Sequence, residues 1–146
     1  MSRHLLDTRI LTVASPAYLE RHGRPAAPTA LSGHRCIQFR DPATGQPFAW
    51  QFVGTVRTVD VATWGPLTVS DVSVMLDACL AGAGIAQVLA LGTEPLLAEG
   101  RLVDLFPDWP GETYPLHAVY PSRRQPPAKV RGFLDFCVTA VRSIAD

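Results

Sequence analysis

The 146 residues predict an α/β protein, a mixed and mostly parallel sheet flanked by helices. Three observations carry that prediction. Short apolar runs of strand character, such as residues 9–14 and 85–91, alternate with segments of helical period. Two of those segments show a one-sided apolar stripe. The first holds Val72, Met75, Leu76, Cys79 and Leu80, the second Val130, Phe133, Leu134, Cys137, Val138 and Val141. Helix-start and helix-stop residues also stand at the junctions, as where Ser15-Pro16 follows a buried strand and Gly23 closes the helix it opens.

Each element follows in order. Residues 9–14 form a strand, Ser15 caps the next helix through its hydroxyl, and Pro16 sits where no helical N–H is needed. A Pro-rich link, residues 24–29, leads to a helical turn near Leu31 and to a strand at residues 36–39. "RDPATGQPF" is dense in turn residues and predicts a loop. Residues 49–53 and 56–61 read as paired strands around a Gly54-Thr55 turn. A strand at residues 67–69 then precedes the first striped helix, with Ser70 as its expected cap and Asp71 at its positive end. Gly82 and Gly84 break that helix before the buried strand 85–91. Thr93 is expected to cap a short helix closed by Gly100, and a strand at 102–105 follows. "FPDWPGETYP" reads as loop, residues 116–120 as strand, "PSRRQPP" as turn, and 128–144 as the final helix.

Composition narrows the function. Lys plus Arg equals Asp plus Glu at 13 each, so no basic face is available for a polyanion. The most basic stretch, Arg123, Arg124, Lys129 and Arg131, is interrupted by Pro126-Pro127 and reads as a solvated helix start. Cys36, Cys79 and Cys137 are an odd number without a CxxC pair, which points to buried thiols in a reducing cytoplasm rather than to a disulfide or zinc framework. His34-x-Cys36 is only a weak metal signal. The four histidines, His4, His22, His34 and His117, show no triad or ligand spacing, and no Gly-x-Ser-x-Gly or phosphate-binding loop occurs. Nothing recommends catalysis, and no cofactor is expected.

Five stretches stand together in one order and spacing: "RILTVASPAYLERHGRPAAPTALSGHRCIQF", "WQF", "LDACLAGAGIAQV", "LLAEGRLVDLFPDW" and "LHAVYPSRRQPPAKVRGFLDF". Together they resemble the effector-binding (substrate-binding) domain of LysR-type transcriptional regulators, whose fold is like that of type 2 periplasmic binding proteins. The similarity runs from about Leu6 to Val141. It implies a bacterial regulator in which a small effector between two lobes biases a dimer that holds DNA through a helix-turn-helix. These residues hold neither the helix-turn-helix nor the linker helix of that pattern, nor the first part of lobe one. Residues 1–115 are then expected to be the second lobe with its crossover. Residues 116–146 are expected to be the returning strand and helix of an incomplete first lobe. The stripe of that last helix needs an apolar cover, worth about 25 cal/mol per Å². Docking on the second lobe, staying loose and self-contact are the alternatives, and we expect association, as a homodimer or a swapped pair.

The candidate effector residues are Ser15, Pro16, Phe39, Arg40, Trp64, Ser70 and Val88, because ligands of parallel sheets sit at the carboxyl ends of strands. Ser15 and Ser70 are read both as caps and as contacts. Arg40 is read as a partner for a carboxylate effector or for Asp41 or another acid. Trp64 is read as pocket wall or core cover, and Val88 as pocket floor or core. A stand-alone binding or dimerisation module without regulatory output is the alternative function.

Overall fold

The computed structural model describes residues 1–121 and 126–145. Two compact units emerge, a larger one of Arg9–Glu112 and a smaller one of Met1–Thr8 with Thr113–Asp146. The first eight residues thus group with the C-terminal segment, and the division falls near residue 112 instead of 115. The reason is pairing: strand β1 spans Ser2–Ala14, well before the apolar run at residue 9, and β8 (Thr113–Val119) pairs with it. Polar residues such as Arg3, His4 and Asp7 hide this strand from a reading based on apolar alternation.

In the larger unit, β1 is followed by helix α1 (Pro16–His22), a 3-10 turn (Pro28–Gly33), and β2 (Gln38–Phe39). The hairpin β3 (Trp50–Val53) and β4 (Thr58–Val61) comes next, then β5 (Thr68–Val69), α2 (Val72–Leu80), β6 (Ala86–Leu89), α3 (Glu94–Ala98) and β7 (Val103–Asp104). One sheet has the order β6-β1-β7, and β2 and β5 form a two-stranded sheet beside it. β2 lies parallel to β5 and meets β6 through a parallel bridge between Cys36 and Ile85. β1 lies antiparallel to both β6 and β7. The pairing is therefore mixed, with a smaller parallel share than strand–helix alternation implies.

Alternation along the strands builds two cores. Leu11, Val13, Ile37, Ala86 and Val88 pack with Met75 and Cys79 of α2, with Leu96 and Leu97 of α3 against them. Ala14, Cys36 and Ile85 point the other way, toward Tyr18 of α1, Leu31 of the 3-10 turn, and Trp50, Phe52 and Val61 of the hairpin. Each such aliphatic or aromatic side chain contributes about 1.5–3 kcal/mol by leaving water. Between the two cores the sheet is covered on both faces. The backbone packs closely too: a Cβ on Gly65 would stand 1.8 Å from the Cys36 carbonyl oxygen.

Local chemistry corrects several expectations. The Ser15 hydroxyl does accept the Tyr18 N–H at 3.3 Å, and Gly23, at φ 77°, ends α1 with its N–H on the Leu19 carbonyl. Asp71, not Ser70, caps α2: its carboxylate accepts the Val74 N–H at 3.0 Å. Thr93 precedes α3, but its hydroxyl donates back to the Leu89 carbonyl at 2.7 Å instead of capping. The hairpin turn is longer than Gly54-Thr55, because Val53 pairs with Thr58 and leaves residues 54–57 outside the ladder. Val72, expected on the buried stripe, is exposed at the first turn of α2.

In the smaller unit, β8 begins inside the segment read as loop, at Thr113. The Met1 amino group donates to the Tyr120 carbonyl at 3.1 Å, and the Tyr120 N–H donates to the Met1 carbonyl at 3.0 Å. Helix α4 spans Ala128–Ala145, and Arg3 pairs with its Asp135. Of the expected α4 stripe only Leu134 is buried. Val130, Cys137, Val138 and Val141 are half-buried, and Phe133 is exposed. Arg123 and Arg124, with most of the "PSRRQPP" turn, lie outside the described residues.

Candidate functional site

The direction of β1 decides where the candidate residues lie. β1 opposes β6, so its carboxyl end, Val13, stands beside the amino end of β6, Ala86. Ser15 and Pro16 therefore leave the sheet at its amino edge, where Arg35 bridges Trp64 and Cys36 bridges Ile85. Phe39, Arg40 and Ser70 lie at the opposite, carboxyl edge: Phe39 pairs with Val69, and the Arg40 N–H donates to the Val69 carbonyl at 2.8 Å. The expected convergence of Ser15, Phe39 and Ser70 fails, because strand-end rules for parallel sheets do not extend to an antiparallel neighbour. Trp64 belongs to the amino edge with Ser15, more than half exposed. Val88 is core, buried beneath α2.

Three of the seven candidates thus share one edge. Phe39 stacks on Phe48 with ring centroids 6.2 Å apart, because the 41–48 loop folds back and the Phe48 N–H donates to the Phe39 carbonyl at 2.9 Å. Asp41 spends one carboxylate oxygen on its own loop, accepting the Ala43 N–H at 2.8 Å. The expected Arg40–Asp41 pair is absent, and among the described residues no carboxylate is ion-paired with Arg40. Arg40 is therefore an exposed cation at the strand end that carries the Phe39–Phe48 pair. The positive end of α2 at this edge is met by the carboxylate of Asp71, which works against a second anion there. Leu89, partly exposed at the end of β6, adds an apolar group. Phe48 escaped the sequence reading. Phe48 sits in a turn-rich loop with no periodic signal, and only the fold-back brings it to β2.

Two depressions lie elsewhere on the larger unit. One, between β1 and β3, is lined by Thr12, Gln87, Asp104, Phe106 and Trp109 and encloses about 20 Å³, room for about one water. The other lies between Arg24–Ala26 and residues 105–109. There the Arg24 guanidinium already donates to the Asp104 and Leu105 carbonyls at 3.0 and 3.1 Å.

Two of the three thiols, Cys36 and Cys79, lie in the cores. Burial pushes Cys36 up to about 12 and Cys79 up to about 11, so neither is a thiolate at neutral pH. Cys36 donates weakly to the Leu31 and His34 carbonyls, and Cys79 to the Val13 carbonyl. Among the described residues no cluster of three or more His, Cys, Asp or Glu could hold a metal. Nor is any helix among them long and apolar enough to cross a membrane.

Comparison with known proteins agrees with this architecture. The family described as the LysR substrate binding domain matches residues 1–142. The HTH-type transcriptional regulator YcaN of Escherichia coli is 35% identical over 131 residues, 90% of this chain and 42% of that protein. The HTH-type transcriptional regulator CrgA of Neisseria meningitidis is 33% identical over 138 residues, 94% of this chain and 45% of its own length. The LysR family substrate binding domain-containing protein YagP of Escherichia coli is 31% identical over 103 residues, 70% of this chain and 76% of that protein. Among solved structures, the CrgA regulatory domain superposes with a TM-score of 0.82 at 31% identity, covering 97% of this chain and 68% of that one. Full-length AphB of Vibrio cholerae superposes at 0.79 and 27% identity, covering 96% of this chain and 47% of that one. The chain spans less than half the length of the regulators YcaN and CrgA.

Proposed function

The chain belongs to the LysR substrate-binding domain family, and on that premise we propose that the larger unit meets its effector at the carboxyl edge, against Phe39, Arg40, Phe48 and Ser70. One observation carries the reading: Arg40 is exposed without an acidic partner among the described residues, at the same sheet edge as the stacked Phe39 and Phe48 rings. A guanidinium and an aromatic pair at one sheet edge suit a small ligand with one anionic end and one flat or apolar end. A carboxylate fits, held by Arg40 and kept away from Asp71. Effector binding would favour one arrangement of a homodimer over another and so pass the signal to a helix-turn-helix domain in the cytoplasm. The chain itself contacts no DNA in this reading and catalyses nothing.

The similarity to YagP, three quarters of which this chain covers, favours a second reading, a stand-alone binding module. A helix-turn-helix coding segment directly upstream of this sequence supports the first reading, and its absence the second.

A thermal-shift panel of aromatic and aliphatic carboxylates tests the site. A ligand at about 100 times its Kd stabilises by about 2.7 kcal/mol. Arg40→Ala should abolish the shift produced by any carboxylate hit. An unchanged shift in Arg40→Ala removes Arg40 from the site, and no shift from any carboxylate in the wild-type chain removes the ligand class.

A further inference from the structure

At the amino edge, away from the proposed effector site, Tyr18 of α1 is fully enclosed in the core that holds Leu31 and Cys36. Its hydroxyl has two partners. The Arg35 N–H donates to the oxygen at 3.2 Å, and His34 Nδ1 lies 2.8 Å away. The tautomer follows from the donors available. An N–H can only donate, so the Tyr18 oxygen accepts from Arg35 and its one hydrogen goes to Nδ1. His34 is then neutral, with its own hydrogen on Nε2. A proton on Nδ1 turns that acceptor into a donor. The Tyr18 oxygen can accept it, but its own O–H is then left enclosed with no other acceptor among the described residues, which is costly.

The surroundings push in the same direction. From α1, the His22 ring stacks on Tyr18 at 4.6 Å and opposes a second positive charge. From the segment of His34 itself come the Arg35 side chain and the Cys36 thiol, which is neutral and hydrogen-bonded to carbonyls. None of these groups would stabilise an imidazolium. Burial first, and His22 second, hold the His34 pKa below its ordinary 6.5.

We propose that Tyr18 and His34 form a proton-sensitive latch: neutral His34 fastens α1 to the end of the 3-10 turn, and protonation unfastens them. The larger unit then answers acidification as a signal separate from any effector. The sign is set by the lowered folded pKa. The stability that the latch contributes is complete above the unfolded value of 6.5 and is lost as pH falls below it.

The test pairs an NMR titration of the imidazoles with thermal unfolding from about pH 7.5 to about pH 5.5. It uses the 146-residue chain and its His34→Gln and His22→Gln variants. Glutamine does not titrate, so each variant removes one proton-binding ring. His34 should titrate below 6.5, and His34→Gln should remove half or more of the wild-type fall in Tm on acidification. His22→Gln should leave most of that fall in place. The latch is overturned if His34 titrates at or above the free value, or if His34→Gln keeps the wild-type pH profile. Should His34→Gln fail to fold, the wild-type titration decides alone.

Discussion

The two units of this chain use the same elements and reach different degrees of burial. The larger unit places helices on one sheet face and a hairpin, a helix and a 3-10 turn on the other, and its central strand β1 sends Leu11 and Val13 into one core and Ala14 into the other. The smaller unit sets one helix with two strands, and Leu134 is its only buried side chain among the described residues. Phe133, Phe136 and Ile144 of α4 and Val119 of β8 stay exposed. An apolar stripe on a helix therefore records a capacity for burial. Whether burial occurs depends on a second layer to receive it, and a sheet covered on one side does not provide one.

Four variants would break or sharpen this contrast. The largest effect belongs to Ile85→Ala, at a position with no solvent exposure in the core under the hairpin. It should cost about 2–5 kcal/mol in denaturant unfolding, and a loss below about 1 kcal/mol would show that the larger unit can collapse around the gap. Next, Asp71→Ala should cost about 1 kcal/mol by removing the α2 cap. Ser70→Ala should stay within about 0.5 kcal/mol; equal losses would return the capping role to Ser70. Smallest in stability is Phe133→Ser combined with Phe136→Ser, within about 0.5 kcal/mol. Sedimentation of the wild-type chain should show a dimer that this double variant weakens. If the double variant unfolds the chain, α4 is buried in solution after all and the contrast fails.

Much of the larger unit was legible in residue order. Ser15, Pro16 and Gly23 state the start and stop of α1, and the Met75–Cys79 spacing states which face of α2 is buried, because caps and periodicity are local signals. The first half of β1 was not legible, since Arg3, His4 and Asp7 become strand through pairing with β8 rather than through their own preference. The site divided in the same way. Phe39, Arg40 and Ser70 lie at one edge, as their sequence reading expected, because their strands run parallel, whereas Ser15 and Trp64 lie at the other.

The order of side chains along this chain determined its class, its helix ends and the family it belongs to. Only the tertiary structure decided that β1 runs against β6, which sends Ser15 to one edge of the sheet and leaves Arg40 at the other. It alone also set Tyr18 against His34. Strand direction and such meetings depend on pairings between residues distant in sequence, and no local propensity encodes them.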